Sequence, residues 1–431
     1  MTHFDKFFLG ADSRCIVSTN SAETQLNNNV IVVGGSGSGK TCSTLLPTLL
    51  HLQHSNAVGI FTKRNALDLA KYVLKKRGYD VNIIDFVNPH HSRYGYDPMS
   101  FCNSDLDISD LANGIINSAL IKGSEVLSDP YWNDAAENLL NTTLKYVFNG
   151  HFSGGKNFIA ALELLDTLCP YKNNFTDDLL DEVEPPLIFK EFANDKLKST
   201  DPVGFAYWKS FDRLAETTAS CVISSLHTPL QKTFSNDVRK IVSHKNIFDL
   251  KKLLNPHTVL FLYVSPVSVA QHRFVGIFYQ QLFKKLFELA ESCSDFFLPY
   301  PIHIFCDDFA TGCKVENFPM LISILREKRI SVTILLQSES QLISMYGKVD
   351  AANIISNCDS YVFLGSMDWD NCANIARKLN LPTNDVANMP VGREIFIRRG
   401  QKPFITSRYN LLNDSIFLKA NSALKTKTFA L

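Results

Sequence analysis

A chain of 431 residues with 45% hydrophobic content has the length for two or three domains and the composition of a packed globular protein. Its 43 Lys and Arg balance 43 Asp and Glu, which excludes a protein that coats nucleic acid through bulk charge but leaves room for a local basic surface such as a pore lining. The ten cysteines form no C-x-x-C pair and no Cys/His cluster at zinc spacing, the usage expected of reduced thiols in the cytosol.

The N-terminal stretch Met1 to Gly10 lacks the apolar core of a signal peptide, and no window of 18 or more apolar residues occurs. The chain therefore reads as cytoplasmic, with any contact to the inner face of a membrane made through an anchoring partner. The first strong element is the apolar run Val30-Ile31-Val32-Val33, a buried strand. Directly after it, Gly34-Gly35-Ser36-Gly37-Ser38-Gly39-Lys40-Thr41 fits G-x-x-x-x-G-K-[ST]. The apolar run Thr44 to Leu50 follows as a helix, with Pro47 as a local kink. Strand, glycine loop and helix together are the context of a phosphate-binding P-loop. Backbone N–H groups from Gly34 to Cys42, the helix N-terminus and the charge of Lys40 then converge on the β- and γ-phosphates of ATP, and the Thr41 hydroxyl is offered to Mg2+.

Further apolar runs read as strands: Val58 to Phe61, Val81 to Phe86, Thr258 to Val264, Ile302 to Cys306, Val332 to Leu336 and Tyr361 to Leu364. Helical segments separate most of them: Ala66 to Arg77, Val267 to Ala290, Phe318 to Arg329 and Trp369 to Leu379. Alternation of this kind predicts an α/β fold whose mostly parallel sheet carries helices on both faces. From about Ser109 to Asn236 the alternation stops, helical periodicity prevails, and Glu182-Val183-Glu184-Pro185-Pro186 punctuates the stretch. We expect an all-α insertion over 109–236 within a nucleotide-binding domain formed by 1–108 and 237–431. Arg393 to Arg399 and Pro403 to Tyr409 read as a closing strand pair around Gly400, and the polar tail after Asn410 as frayed.

The run ending in Cys306-Asp307-Asp308 places two carboxylates at a strand end. Two acids beside an apolar strand are costly unless a cation compensates, so Asp307 is expected in the Mg2+ shell and Asp308 at the attacking water. Gln337 ends another strand on the edge where ligands of open α/β sheets sit, and is expected to sense the γ-phosphate or orient water. In the basic cluster Arg326-Glu327-Lys328-Arg329, cations suit a helix C-terminus in any case, but one arginine could reach a neighbouring subunit's γ-phosphate. The aromatic residues Tyr131, Trp132, Tyr207 and Trp208 of the insertion read as packing residues before contact residues, and His90 and His91 as surface.

These segments together resemble the type IV secretion coupling proteins, the TraG/TraD-like conjugative DNA-transfer ATPases. The likeness rests on Asn27-Asn28-Asn29 leading into the P-loop, Lys75 to Val81, Tyr96-Asp97-Pro98-Met99, Asp129-Pro130-Tyr131-Trp132, Asp307 to Ala310, Ile330 to Ser338 with Gln341-Leu342 and Tyr346-Gly347, and Asn357-Cys358-Asp359 with Phe363 to Ser366. The resemblance implies a RecA-like ATPase domain with a helical insertion. It implies a homo-oligomeric ring, commonly a hexamer. Its partners would be single-stranded DNA with a relaxase, or protein cargo, and the components of a secretion channel. It also implies Walker A roles for Lys40 and Thr41, a magnesium role for Asp307, a strand-end glutamine in Gln337 and an arginine finger in Arg326. Three departures stand out. The family has Asp-Glu where this chain has Asp307-Asp308. It carries an Asp-Pro-Lys-Gly segment where this chain reads Phe61-Thr62-Lys63-Arg64-Asn65. It carries N-terminal membrane helices that have no counterpart here. The first departure keeps open a nucleotide-gated adaptor with little hydrolysis, and cargo in the form of effector proteins stays open as well.

Overall fold

The computed structural model describes residues 4–118, 130–168, 197–307, 309–311, 314–315 and 317–424. Asp308, Asp129 and the Glu182–Pro186 stretch lie outside them. The described residues fall into two compact units, one within Met1–Val87, Asp249–Ser268 and Leu282–Leu431, the other within Asn88–Phe248 and Val269–Gln281.

The first unit is built on a nine-stranded sheet. Its strands are Val30–Val33 (β3), Asn56–Phe61 (β4), Asp80–Asp85 (β5), Thr258–Tyr263 (β6), Ile302–Cys306 (β7), Ile330–Leu336 (β8), Ser360–Phe363 (β9), Arg393–Arg398 (β10) and Phe404–Ser407 (β11). A separate hairpin, Lys6–Phe8 (β1) against Ile16–Ser18 (β2), precedes them. The sheet order is β11-β10-β9-β3-β8-β7-β4-β6-β5, parallel from β9 to β5, with β10 and β11 antiparallel at the β9 edge. Helices cover both faces, as the alternation of elements required. The parallel strands read as near-continuous apolar runs because they are covered on both sides: β3, β4, β7, β8 and β9 are buried at every position.

The acid-bearing strand β7 does not adjoin β3; β8 lies between them, pairing Val33 with Leu336 on one side and Cys306 with Ile334 on the other. At the N-terminal edge of these strands the asparagine lead-in and the Asn357–Asp359 block hold each other. Asn27 donates its backbone N–H to Asp359 Oδ2 (2.6 Å) and its side-chain amide to the Asn357 carbonyl (3.0 Å), while buried Asn29 donates to the same carbonyl (3.0 Å) and accepts from the Val332 N–H (3.0 Å). Two blocks that stand out in the sequence thus brace the root of β3, β8 and β9 rather than the ligand edge.

The helix after the P-loop opens with a wide turn over Thr41–Leu45, in which the Leu46 N–H reaches back to the Thr41 carbonyl, before Leu46–Leu50 continues as α-helix. Pro47 explains the widening. It has no N–H for the Ser43 carbonyl, and its ring crowds that carbonyl in a regular α-turn. The helix Glu339–Ser356 escaped sequence reading because Gly347 (φ +80°) breaks it. Its buried positions Leu342, Met345 and Tyr346 are consequently out of phase with Ala351 and Ile354. The tail expected to fray after Asn410 is instead helical in its described part: Ser415–Leu424 forms a helix, Phe417 and Ala420 are buried, and Asp414 caps the helix while bonding to His51 (2.6 Å) and Tyr409 (2.6 Å). Two apolar anchors and a cap outweigh a polar average.

In the second unit the regular elements described are all helical, chief among them Asp105–Ser118, Pro130–Phe148, Phe158–Leu168, Pro202–Asp212, Glu216–Thr233 and Asn236–Val242. Trp208 is fully buried and Tyr207 donates to the Ala135 carbonyl (2.6 Å), so both pack; Tyr131 is exposed and meets Trp132 edge-on. No helix of the described residues is long and apolar enough to cross a membrane.

Candidate functional site

Parallel strands bring their C-terminal ends to one edge, and there the loop after β3 meets the ends of β8, β7 and β4. The loop hangs from both neighbours of β3, through Gly34 N–H to the Leu336 carbonyl (3.1 Å) and Gly35 N–H to the Gly365 carbonyl (3.0 Å). Gly34 leaves no space for a side chain, since a Cβ there would lie 2.5 Å from Ser38 Oγ and 2.8 Å from Leu364 Cβ. Gly39 adopts φ +83°, a conformation that L side chains resist.

A cavity of about 140 Å³ is lined by the loop from Ser36 to Cys42 together with Thr62, Lys63, Asp307 and Gln337. Lys40 is buried, its ammonium donating to the Gly34 carbonyl (2.7 Å) and the Gly35 carbonyl (3.3 Å). The Thr41 hydroxyl donates to Asp307 Oδ2 at 3.4 Å. Burial pushes the Cys42 thiol up, opposed by the charge of Lys63 and reinforced by that of Asp307, two residues that line the cavity. The Gln337 N–H is held by Gln341 Oε1 (3.2 Å), which fixes the turn that presents the glutamine. The arrangement suits an anion, with an acid on its rim: the glycine loop, a helix start and Lys40 on one side, and Lys63, a carboxylate and an amide on the other.

Of the residues expected in the site, those from Ser36 to Cys42, Asp307 and Gln337 are brought together, and Gly34 and Gly35 form the root of the loop. Arg326 is not brought there. It precedes β8, whose 7 residues at about 3.3 Å each put roughly 20 Å between the two ends of the strand, and its guanidinium donates to the Ser21 carbonyl (3.3 Å). Thr62 and Lys63 escaped sequence reasoning, since the departure from Asp-Pro-Lys-Gly made that loop look idle. Their position directly after an apolar strand was the available signal, because every parallel strand ends on the ligand edge. Arg408 also escaped; it donates to the Ser38 carbonyl (2.6 Å) from behind the loop.

Residues 11–379 match the family model described as type IV secretory system conjugative DNA transfer. No curated protein matches the chain. Among solved structures, the bacterial conjugative coupling protein TrwBdeltaN70 in its unbound monoclinic form is similar, with a TM-score of 0.66, 16% identity, and 94% of this chain and 90% of that chain covered. The plasmid coupling protein TrwB in complex with ADP and Mg2+ gives a TM-score of 0.64 at 15% identity, covering 95% and 96%. VirB4 of Thermoanaerobacter pseudethanolicus gives 0.56 at 13% identity, covering 96% and 98%. At these identities the likeness establishes a shared fold.

Proposed function

The chain belongs to the type IV secretory system conjugative DNA transfer family, and from that premise we propose that it is an ATPase that delivers DNA with its relaxase, or protein cargo, to a type IV secretion channel. The observation that carries the catalytic part is the approach of the Thr41 hydroxyl and the Asp307 carboxylate, 3.4 Å apart on the rim of the P-loop cavity. Adjacent ligands of an octahedral Mg2+ with bonds of about 2.0–2.1 Å sit roughly 3 Å apart, so this pair fits that ion. Mg2+, when bound, neutralises charge on the β- and γ-phosphates. The rest falls to the chain's own groups. Loop N–H groups and Lys40 hold the phosphates, Lys63 adds a second positive charge on the Asp307 side, and Gln337 orients the attacking water.

TrwB in complex with ADP and Mg2+, on the same fold, supports this assignment of nucleotide and metal. Several copies are proposed to form a ring, as a hexamer, in which Arg326 serves a neighbouring subunit's nucleotide; the length of β8 between Arg326 and Gln337 supports action in trans. A zero net charge favours DNA contacts through local basic loops of such a pore over a uniformly basic surface. Attachment to the inner face of the membrane falls to a partner.

Single-stranded DNA should stimulate ATP turnover, and its affinity should fall by about 10³-fold or more between about 50 and 200 mM salt. Phosphate release with and without DNA, alongside gel filtration with a non-hydrolysable nucleotide, checks both. If DNA alters neither rate nor oligomeric state, the transport reading fails. The shorter acid of Asp308 favours a second reading, a nucleotide-gated adaptor with slow turnover. For such a site Asp308→Glu raises the rate by on the order of 10²-fold, and an unchanged, healthy rate discards the adaptor.

A further inference from the structure

We propose that Arg408 is a positioning residue of the phosphate loop, acting through the peptide unit that joins Ser38 to Gly39. The assignment rests on the reading of the cavity as a nucleotide site and adds a residue outside the segment matched to the family, which ends at 379.

Arg408 directly follows β11, and β11 runs parallel to β9, so its C-terminal end comes to the ligand edge. Its guanidinium addresses three backbone segments at once. One Nη donates to the Ser38 carbonyl (2.6 Å), the other to the Leu364 carbonyl at the end of β9, and Nε donates to the Arg393 carbonyl at the start of β10 (3.1 Å). The backbone N–H of Arg408 is itself bonded to the Gly392 carbonyl (3.0 Å). The guanidinium is therefore held to the end of β9, the neighbour of β3, and to the start of β10, with one arm on the loop.

Ser38 and Gly39 line the cavity, and in the trans peptide between them the N–H points opposite the carbonyl that Arg408 holds. The Ser38 carbonyl and the Gly39 N–H belong to one amide. A charged donor on the oxygen polarises the amide and makes its N–H a stronger donor toward an anion in the cavity. Gly39 also packs against the same group, with a Cβ built on it lying 3.9 Å from Arg408 Nη1. The acidic group facing Arg408 is Glu394 of β10. Glu394 is fully buried, and neither of its oxygens has a hydrogen-bond partner among the described residues. Burial raises its carboxyl to about 9 against the opposing charge of Arg408, so it is neutral at pH 7 and does not cancel the guanidinium's charge.

The test uses the full chain with Arg408→Ala and Arg408→Lys, titrated calorimetrically with ADP and Mg2+ well below the melting temperature, with Lys40→Ala as reference. Arg408→Ala should weaken ADP binding about tenfold, the scale of one charge-assisted hydrogen bond. Arg408→Lys should recover part of this, because the charge returns while three carbonyls exceed the reach of one ammonium. A lowered melting temperature with unchanged ADP affinity means that the arginine only holds the hairpin, and overturns the assignment alone. A wild type that binds no nucleotide overturns the reading of the cavity and this assignment with it.

Discussion

Replacing Lys40 with alanine should lower ATP turnover by about 10²–10³-fold, the loss seen when one fixed electrostatic donor is removed from a preorganised site. The ammonium is buried against the loop, bonded to the carbonyls of Gly34 and Gly35, and so is placed within the curve that lines the cavity. Arginine should not restore the rate, because its planar fork is larger and differently hydrated than a point-like ammonium. The measurement is phosphate release at saturating ATP, paired with a thermal melt to show that the variant is folded. A folded Lys40→Ala chain that turns over within about threefold of wild type would remove the P-loop from the mechanism.

The second large effect concerns stability. Glu394 lies in β10 with no exposure, and burial pushes its carboxyl up to about 9 although Arg408 pulls the other way. Its ordinary value is 4.5. Because the folded value is the higher one, the native state is favoured in full below pH 4.5 and loses that advantage as pH climbs toward 9. Each pH unit in that window removes about 1.4 kcal/mol, or on the order of 3 kcal/mol between pH 4.5 and 7. Glu394→Gln keeps shape and hydrogen-bonding atoms but cannot ionise. Its stability relative to wild type should therefore grow from pH 5 to pH 8 and vanish below pH 4.5, as read by denaturant melts across that range. A difference that is flat with pH would mean that Glu394 is ionised in the folded protein.

Residues close together in the chain were legible. The glycine loop from Gly34 to Thr41 is a short signal whose glycines and lysine act on one another, and its flanking strand and helix are its immediate neighbours. The runs that became β4, β6, β7 and β8 could be read because strands buried on both faces must be apolar throughout. Asp307 could be read because an acid closing such a strand demands a reason. The tail could not, since its helix depends on Phe417 and Ala420 finding a core built by distant segments and on Asp414 meeting His51. Nor could the partnership of Asn27 and Asn29 with Asn357 and Asp359, which spans more than three hundred residues of chain.

Composition, strand periodicity and one glycine loop thus determined that this chain is an α/β protein with a glycine turn between a strand and a helix, because each follows from interactions within a few residues. Folding alone decided that β8 stands between β3 and β7, that Lys63 joins the cavity, that Arg326 lies a strand's length away and that Arg408 reaches the loop from behind. Those facts follow from strand order, and strand order is chosen by hydrogen bonding and burial between segments whose spacing along the chain carries no trace of their spacing in space.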